Sequence, residues 1–265
     1  MKLSIITINY NNFNGLEKTI KSVIKQTFKD FEWIVIDGNS TDGSKELIEK
    51  YATYFNYWVS EPDNGIYHAM NKGTKQAKGE YCLYLNSGDY LIDEMVIEKV
   101  FAHPLLGDVN YGDVWCIQND KIIEKRTYPD DMNLSFLFRN PLGHQATFIR
   151  TEIAKKHPYR EEYRISADRA FFLELYCNNY SFHHLSLPIV YFDTDGIGSN
   201  PKTLESRREQ LYNIKRIFFA DQVVKDFERL QGIEDEFLFV QRIPPLRWTY
   251  LFFKKLQQLK IKSHE

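Results

Sequence analysis

The stretch that decides the fold is Leu3-Ser4-Ile5-Ile6-Thr7-Ile8, followed directly by Asn9-Tyr10-Asn11-Asn12. The apolar, β-branched run predicts a buried strand, and the polar residues after it predict a loop. Leu16, Ile20 and Val23 then recur at helical spacing. The segment is therefore predicted to be a strand–loop–helix unit, and its apolar run is too short for a signal peptide or a membrane span.

The same unit recurs three times along the chain. Strands are predicted at 31–36, 57–60 and 81–85, each followed by a polar turn and a helical segment. Four successive βα units predict an α/β fold with a mostly parallel central sheet and helices on both faces. After residue 108, strand-like runs with hairpin turns predict an α+β second half, and 202–230 reads as helical.

Composition and missing motifs narrow the class of protein. With 265 residues, 43% of them hydrophobic, and a net charge of −2, the chain can bury a sizeable core and lacks the basic character of a nucleic-acid-binding protein. Neither a G-x-G-x-x-G run after the first strand nor a P-loop motif is present, which argues against dinucleotide and P-loop chemistry. The separated Cys82, Cys116 and Cys177 predict free, buried thiols in a reducing compartment.

Polar residues follow all four predicted strands of the first half. In an open α/β sheet, ligands bind outside the carboxyl ends of the strands, so four polar loops at one edge predict a site. One such loop alone is more often a solvated turn. A phosphate bound here lacks a glycine-rich cradle, and a divalent ion held by a carboxylate is the natural substitute. Asp89 is the candidate ligand, because Gly88 before it permits a tight turn.

At this point the residues resemble a known family, the inverting family 2 glycosyltransferases. These enzymes have a GT-A fold, the Rossmann-like fold of nucleotide-diphospho-sugar transferases, and the most similar members are bacterial enzymes of polysaccharide and colanic-acid-type biosynthesis. The motifs that carry the resemblance are Thr7-Ile8-Asn9-Tyr10-Asn11-Asn12, Ile36-Asp37-Gly38-Asn39-Ser40-Thr41-Asp42-Gly43, Ser60-Glu61-Pro62-Asp63-Asn64-Gly65-Ile66-Tyr67 and Leu85-Asn86-Ser87-Gly88-Asp89.

The resemblance extends over residues 1–200 and implies a domain organisation. We expect a GT-A domain over 1–200, with a nucleotide-binding half at 1–107 and an acceptor half at 108–200. Residues 201–265 form a helical C-terminal extension in this interpretation.

The resemblance also implies a donor site. Asp37 takes the place of the carboxylate that contacts the nucleotide base, usually uracil, although guanine also offers N–H groups to a carboxylate. Asp89 takes the place of the residue that binds Mn²⁺ or Mg²⁺ and the diphosphate, and Asn86 stands where relatives have a second aspartate. His68 likewise replaces an aspartate, which leaves its role open between a structural histidine and a donor contact. The implied donor-binding residues are Thr7, Asn9, Tyr10, Asn11, Asp37, Asn39, Asp63, Asn71, Lys72, Asn86, Ser87, Gly88 and Asp89.

For catalysis, the segment Ile165-Ser166-Ala167-Asp168 resembles the family segment that ends in the general base. A position at a helix N-terminus favours the ionised carboxylate, although an ordinary helix cap has the same pattern. Candidate acceptor-side residues are His144, Gln145 and Arg169. The loop 196–200 resembles one that closes over the donor.

The C-terminal residues differ from the rest in charge. Residues 242–265 carry six Lys/Arg and one Glu, a net +5 that leaves −7 for the preceding residues. The aromatic and basic segment 243–262 fits a peripheral contact with a membrane surface. It fits equally a helix that packs on its own domain or on the partner in a homodimer, and the alternatives stay open.

Taken together, the sequence predicts a cytoplasmic hexosyl- or N-acetylhexosaminyltransferase, peripheral to the inner face of the membrane if 243–262 binds lipid. The donor is a nucleotide-sugar, with a UDP-sugar favoured, and the acceptor is a saccharide or a polyprenyl-diphosphate-linked saccharide of the bacterial cell surface. Two alternatives remain: a sugar nucleotidylyltransferase, whose glycine-rich basic signature is missing, and a non-catalytic nucleotide-sugar-binding scaffold of the same fold.

Overall fold

A computed structural model describes residues 1–194 and 203–242 of the chain. The strands in these residues are β1 (Leu3–Asn9), β2 (Phe31–Asp37), β3 (Tyr57–Ser60), β4 (Tyr81–Tyr84), β5 (Tyr90–Leu91), β6 (Val109–Gln118), β7 (Lys121–Arg126), β8 (Thr147–Arg150) and β9 (Phe182–Asp193). The α-helices are α1 (Phe13–Ile24), α2 (Ser44–Lys50), α3 (Ile66–Gln76), α4 (Val96–Phe101), α5 (Leu134–Arg139), α6 (Thr151–Lys156), α7 (Ala167–Cys177), α8 (Leu204–Phe218) and α9 (Asp221–Arg242). Short 3-10 helices occur at Ala52–Tyr54 and His144–Ala146.

The described strands form one sheet in the order β3-β2-β1-β4-β8-β6-β9-β5, with β7 paired to β6 outside this path. The first four strands in this order are parallel, as predicted from the four βα units. β8 runs antiparallel to β4 and β6, whereas β9 is parallel to β6. The second half is therefore mixed and extends the same sheet.

The core of the first half lies between β1 and the helices that cover it. All seven residues of β1 are buried. On α3, a Cβ added at Gly73 would lie 2.4 Å from Ile6 Cγ2, so only glycine permits this close approach of helix and strand. The tight packing fixes α3, and with it the loop that precedes the helix, against the carboxyl ends of the parallel strands.

Glu32 is a buried carboxylate that holds the start of β4 in place. Its side chain is 4% exposed and accepts hydrogen bonds from Ser4 Oγ at 2.6 Å and from the backbone N–H of Gly79 at 3.0 Å. The backbone N–H of Lys78 also donates to it. One side chain on β2 thus satisfies donors on β1 and in the turn between α3 and β4.

We expect Glu32→Ala to lower the free energy of unfolding by about 2 kcal/mol or more, because it leaves these buried donors without an acceptor. Chemical denaturation followed by circular dichroism measures the change. Glu49→Ala, an exposed position on α2, is the control and should change stability by less than about 0.5 kcal/mol. Equal effects of the two variants would contradict the role assigned to Glu32.

Some elements differ from their predicted form. The pattern did not predict the short elements β5, α5 and α6. The cysteines are free, but Cys177 is exposed while Cys82 and Cys116 are buried. The prediction of burial was wrong for Cys177 because it is the last residue of α7.

The chain divides into two compact units, residues 1–218 and 219–265. The predicted boundary after residue 200 lies outside the described residues and stays a prediction, as does the division of 1–200 into two halves. The predicted closing loop at 196–200 and the predicted membrane-contacting segment 243–262 also lie outside them. Within the described residues, none of the helices combines the length and apolar character needed to cross a bilayer.

Candidate active site

The loops at the carboxyl ends of β1, β2 and β3 are joined by the buried carboxylate of Asp37. Asn9 Nδ2 donates to its Oδ1 at 2.8 Å, and Ser60 Oγ donates to its Oδ2 at 2.7 Å. Both the backbone N–H and the hydroxyl of Ser40 donate to the same carboxylate. Ser40 Oγ in turn accepts from the backbone N–H of Asn11 at 2.8 Å. Four donors, at the ends of β1 and β3 and in the loop after β2, therefore use the carboxylate that the sequence assigns to the nucleotide base. That assignment stays a prediction.

An exposed aromatic ring stands beside this network. Tyr10 is 67% exposed, although it lies directly after the fully buried β1. A Cβ added at Gly38 would lie 3.1 Å from Tyr10 Cδ2 and 2.7 Å from Asp63 Oδ2, so the ring and the carboxylate both border Gly38. Asp63 Oδ1 accepts from the backbone N–H of Gly65 at 2.7 Å. An exposed ring beside a carboxylate is an arrangement that can stack a planar base and accept an N–H from it.

The other predicted residues of these loops serve the fold in different ways. Thr7 is fully buried, and its Oγ1 accepts from Trp33 Nε1 at 3.0 Å, so the structure places it in the core. Asn39 is exposed and has a positive φ of 66°, a left-handed conformation that asparagine tolerates. Asn11 Oδ1 accepts from the backbone N–H of Thr41 at 2.8 Å and joins the first loop to the second.

The turn that follows β4 buries a carboxyl group. Asp89 is 5% exposed, and its Oδ1 accepts from the backbone N–H of Asp193 at 3.3 Å. Gly88 before it has a φ of 105°, which favours glycine. Thr19 Oγ1 donates to the backbone oxygen of Asp89 at 2.7 Å and fixes the turn against α1. Burial raises the pKa of the Asp89 carboxyl well above its usual range, and the neighbouring charge of Asp193 raises it further.

Ser87, also predicted to bind the donor, lies in the same turn. Its backbone oxygen accepts from Asn12 Nδ2 at 3.0 Å, while Asn12 Oδ1 caps α1 by accepting from the backbone N–H of Gly15. Asn12 therefore ties the first loop to the turn after β4. In residues 1–194 and 203–242, no three or more His, Cys, Asp or Glu side chains gather into a metal site.

Asp168 lies in the first turn of α7, and its side chain is partly exposed. Its Oδ1 accepts from the backbone N–H of Arg169 at 2.9 Å. The Tyr67 hydroxyl lies 3.2 Å from the same oxygen and 2.8 Å from the backbone oxygen of Ile165, and donates between them. Burial, with the charge of Asp168, raises the pKa of Tyr67 well above its usual range, so this residue remains a donor. The second oxygen, Oδ2, receives neither of these hydrogen bonds.

His144 lies between Asp168 and the turn after β4. Its Nδ1 is 3.8 Å from Asp168 Oδ2, and its Nε2 is 3.1 Å from Asn86 Nδ2. The histidine and aspartate side chains are 15% and 17% exposed. The structure thus brings together three residues that the sequence assigned separately to the donor, the acceptor and the base.

Two further predicted donor residues have partners within the protein. Asn71 makes a reciprocal pair with the backbone of Tyr159, with both distances at 2.9 Å, and also donates to Glu161. Lys72 is paired with Glu61. Their direct contact with a donor stays a prediction, since the structure places both side chains in contacts that stabilise α3.

Of the two remaining acceptor-side candidates, Arg169 contacts the backbone near α5 and Gln145 is buried. The Arg169 guanidinium donates to the backbone oxygens of Leu137 and Phe138 at 3.1 and 3.2 Å, near the end of α5. Burial lowers its pKa to about 10. Gln145 is buried in the 3-10 helix beside His144. His68, whose role the sequence left open, accepts from the backbone N–H of Asn64 through Nδ1 at 3.3 Å.

Sequence reasoning missed Tyr67 as a member of the site. The residue stands inside the third motif, directly after Gly65-Ile66, and that position was the available signal. Its contact with Asp168 spans 101 positions in the chain, which local patterns do not reveal.

Comparisons with known proteins agree with this architecture. Residues 4–160 match the family model for glycosyl transferase family 2. An uncharacterized glycosyltransferase of Mycobacterium tuberculosis, Rv1514c, is 31% identical over 206 residues, which cover 75% of this chain and 77% of that protein. The poly(ribitol-phosphate) beta-N-acetylglucosaminyltransferase TarS of Staphylococcus aureus is 26% identical over 243 residues, 86% of this chain and 42% of TarS.

Solved structures match at the level of the fold. Residues 1–349 of S. aureus TarS in complex with UDP-GlcNAc give a TM-score of 0.66 at 24% identity, covering 82% of this chain and 65% of that one. The mannosyltransferase PcManGT of Pyrobaculum calidifontis in complex with GDP-Man and Mn²⁺ gives 0.61 at 16% identity, covering 86% and 68%. This chain thus spans just under two thirds of the matched TarS fragment. The structural match over most of its length shows that the chain has a GT-A fold, and the family match shows that it belongs to glycosyl transferase family 2.

Proposed function

We propose that the protein is an inverting glycosyltransferase of bacterial cell-surface polysaccharide biosynthesis. It transfers a sugar from a UDP-sugar to a saccharide or lipid-linked saccharide acceptor. The observation that carries the proposal is the contact of one imidazole, His144, with both the turn that ends in Asp89 and the carboxylate of Asp168. A diphosphate-binding turn and a general base must flank the same anomeric carbon, and this contact supports their proximity.

The nucleotide base is proposed to stack on Tyr10. The exposed ring lies beside the carboxylate of Asp63, whose Oδ2 can accept the N3–H of uracil. Asp37 is already the acceptor of four hydrogen bonds, so we assign it the ordering of the loops around the base. The complex of TarS with UDP-GlcNAc supports uracil as the base and an N-acetylhexosamine as the sugar.

We expect Tyr10→Ala to weaken UDP binding by about 5- to 150-fold, because a base–aromatic stack contributes roughly 1–3 kcal/mol. Isothermal titration calorimetry with UDP measures the loss. Tyr54→Ala is the matched control, since Tyr54 is also exposed but precedes β3, at the opposite end of the strand from the loops. Unchanged affinity in Tyr10→Ala would place the base elsewhere.

Asp89 is proposed to hold a divalent cation together with the donor diphosphate. The fit rests on its buried carboxyl, whose raised pKa signals a site where negative charge lacks compensation, and on the neighbouring charge of Asp193. Mg²⁺ and Mn²⁺ commonly use only one or two protein carboxylates and complete their coordination with phosphate oxygens and water. A bound cation supplies positive charge for the departing diphosphate, and the Mn²⁺ present with PcManGT supports this choice.

The reaction is proposed to proceed with Asp168 as general base. The acceptor oxygen bonds to the anomeric carbon while the bond from that carbon to the β-phosphate oxygen breaks. The acceptor proton passes to Asp168, and the electron pair leaves with the nucleoside diphosphate. Attack opposite to the leaving group inverts the anomeric configuration. Tyr67 and the Arg169 N–H hold Asp168 Oδ1, while Oδ2 receives neither hydrogen bond, and this arrangement supports the role.

The test begins with the purified chain and three donor classes. UDP-, GDP- and dTDP-sugars are screened for thermal stabilisation with and without Mn²⁺, and a bound donor raises the melting temperature. We expect the largest shift with a UDP-sugar and Mn²⁺. Product from an α-linked UDP-sugar and a saccharide acceptor should be β-linked by NMR. No shift with any donor would count against the transferase and equally against the nucleotide-sugar-binding scaffold, and an α-linked product would reject inversion.

A further inference from the structure

The geometry around His144 contains one unexplained feature. Asn86 donates from Nδ2 toward His144 Nε2, while its Oδ1 is buried and makes no hydrogen bond with the described residues. A buried amide oxygen without a partner is unfavourable, so its retention calls for a reason. The side-chain amide offers a donor, Nδ2, and an acceptor, Oδ1, and only the donor has a partner.

The donor and the acceptor of the Asn86 amide suit the two neutral tautomers of an imidazole. Its N–H group suits a neutral His144 that is protonated at Nδ1 and accepts at Nε2. Its oxygen, after a half-turn of the amide, suits a His144 protonated at Nε2. The first form directs the Nδ1–H toward Asp168 Oδ2, the oxygen that receives neither the Tyr67 nor the Arg169 hydrogen bond.

The separation of 3.8 Å between Nδ1 and Oδ2 is longer than a hydrogen bond. Catalytic hydrogen bonds are often long before ligands bind and shorten in the complex. Asn86 belongs to the turn that ends in Asp89, so its amide connects this turn to His144. The His144 side chain alone separates the Asn86 amide from the Asp168 carboxylate.

We propose that His144 is a positioning residue that orients Asp168 through Nδ1 and senses the Asn86–Asp89 turn through Nε2. Binding of the donor diphosphate at the turn is thereby coupled to alignment of the general base. This coupling rests on the proposed transferase function. The tautomer of His144 that the coupling requires is independent of that function. His144 touches neither the sugar nor the diphosphate in this role.

Two isosteric amides separate the two contacts. In His144→Asn an amide occupies the position of Nδ1 and the contact at Nε2 is lost; in His144→Gln the reverse holds. We expect His144→Asn to keep kcat within about threefold and to raise the KM for the UDP-sugar at least fivefold. We expect His144→Gln to keep that KM and to lower kcat at least tenfold. Equal losses in both variants, or the opposite pattern, would overturn the proposal.

The same substitutions at His103 provide the matched control. His103 is exposed and follows α4, outside the site. Both His103 variants should keep kcat and KM within about twofold. Melting temperatures of all four variants, measured by circular dichroism, establish that they are folded.

A spectroscopic test needs no activity. Chain labelled with ¹⁵N-histidine is examined at pH 8, and the His144 ring signals are identified by their loss in His144→Asn. We expect the Nδ1–H tautomer in the wild type and a shift toward the Nε2–H tautomer in both Asn86→Ala and Asp168→Asn. An Nε2–H tautomer in the wild type would overturn the proposal. The expected tautomers in a chain that binds no nucleotide-sugar would instead reject the proposed function alone.

Discussion

Asp168→Asn is expected to lower kcat for sugar transfer by about 10²- to 10⁴-fold while the affinity for UDP-sugar stays within about twofold. The amide oxygen can still accept from Tyr67 and from the Arg169 N–H, so the local structure is preserved. The amide nitrogen cannot take a proton from the acceptor hydroxyl. Steady-state transfer kinetics and calorimetric donor titration separate the two effects.

Asp30→Asn, an exposed position before β2, is the control for Asp168→Asn and should leave both quantities unchanged. Normal transfer by Asp168→Asn would remove this residue from the mechanism. Loss of donor binding together with transfer would indicate a structural role at the start of α7. Donor binding by a wild-type chain that transfers no sugar to any acceptor would favour the non-catalytic alternative.

Asp89→Asn is expected to abolish transfer, by at least about 10³-fold, and to raise the melting temperature at pH 7 in the presence of a chelator. The loss follows because the amide no longer holds the cation and diphosphate. The stability gain follows because burial raises the pKa of this carboxyl well above its usual range, so an ionised Asp89 costs folding free energy.

The difference in stability between the wild type and Asp89→Asn depends on pH. A carboxyl whose pKa is higher in the folded than in the unfolded chain favours folding most at low pH, below the unfolded value near 4. That contribution is lost as the pH rises through the folded pKa. The wild type should therefore lose stability relative to Asp89→Asn over this range, and each kcal/mol corresponds to about 2–4 °C in melting temperature.

Manganese provides the complementary measurement for Asp89. Mn²⁺ should raise the melting temperature of the UDP-bound wild type above its value with UDP alone, and should give no further rise in Asp89→Asn, because only the carboxylate binds the ion. Asp120→Asn, in an exposed ion pair with Lys18, serves as the control and should respond as the wild type does. A variant that is less stable than the wild type with chelator at pH 7 would contradict the assigned cost of burial.

The parallel half of the fold could be predicted from the sequence because its signals are long and repeated. These parallel strands have four to seven residues, and three of them lead through a polar loop directly into a helix, which leaves few alternatives. The short elements escaped prediction because they lack such long, repeated signals. β5 has two residues and exists only by pairing with β9, and α5 has six residues and depends on the Asn133 cap. Neither is long enough to display a period.

The site was predictable in place but less so in detail. Strand ends located the loops, and so placed Asn86 and Asp89 at one edge of the sheet. The side-chain partners came from tertiary structure: Asn71 pairs with Tyr159, 88 positions away, and His144 meets Asn86 across 58 positions. A residue type at a given spacing indicates which loop it serves. It does not indicate whether its polar atoms will be used within the protein or remain for a ligand.

The Asp37 network has a consequence for the thermodynamics of recognition. Because one carboxylate joins the loops after β1, β2 and β3, their conformational entropy is lost during folding, before any ligand arrives. A donor that meets preorganised loops keeps more of its contact energy as affinity. Substitutions that loosen Asp37 should then weaken folding and binding together, whereas substitutions at the exposed Tyr10 ring should weaken binding alone. Substitutions at Asp37 and at Tyr10 therefore separate the contribution of loop rigidity to nucleotide affinity from the contribution of direct contacts.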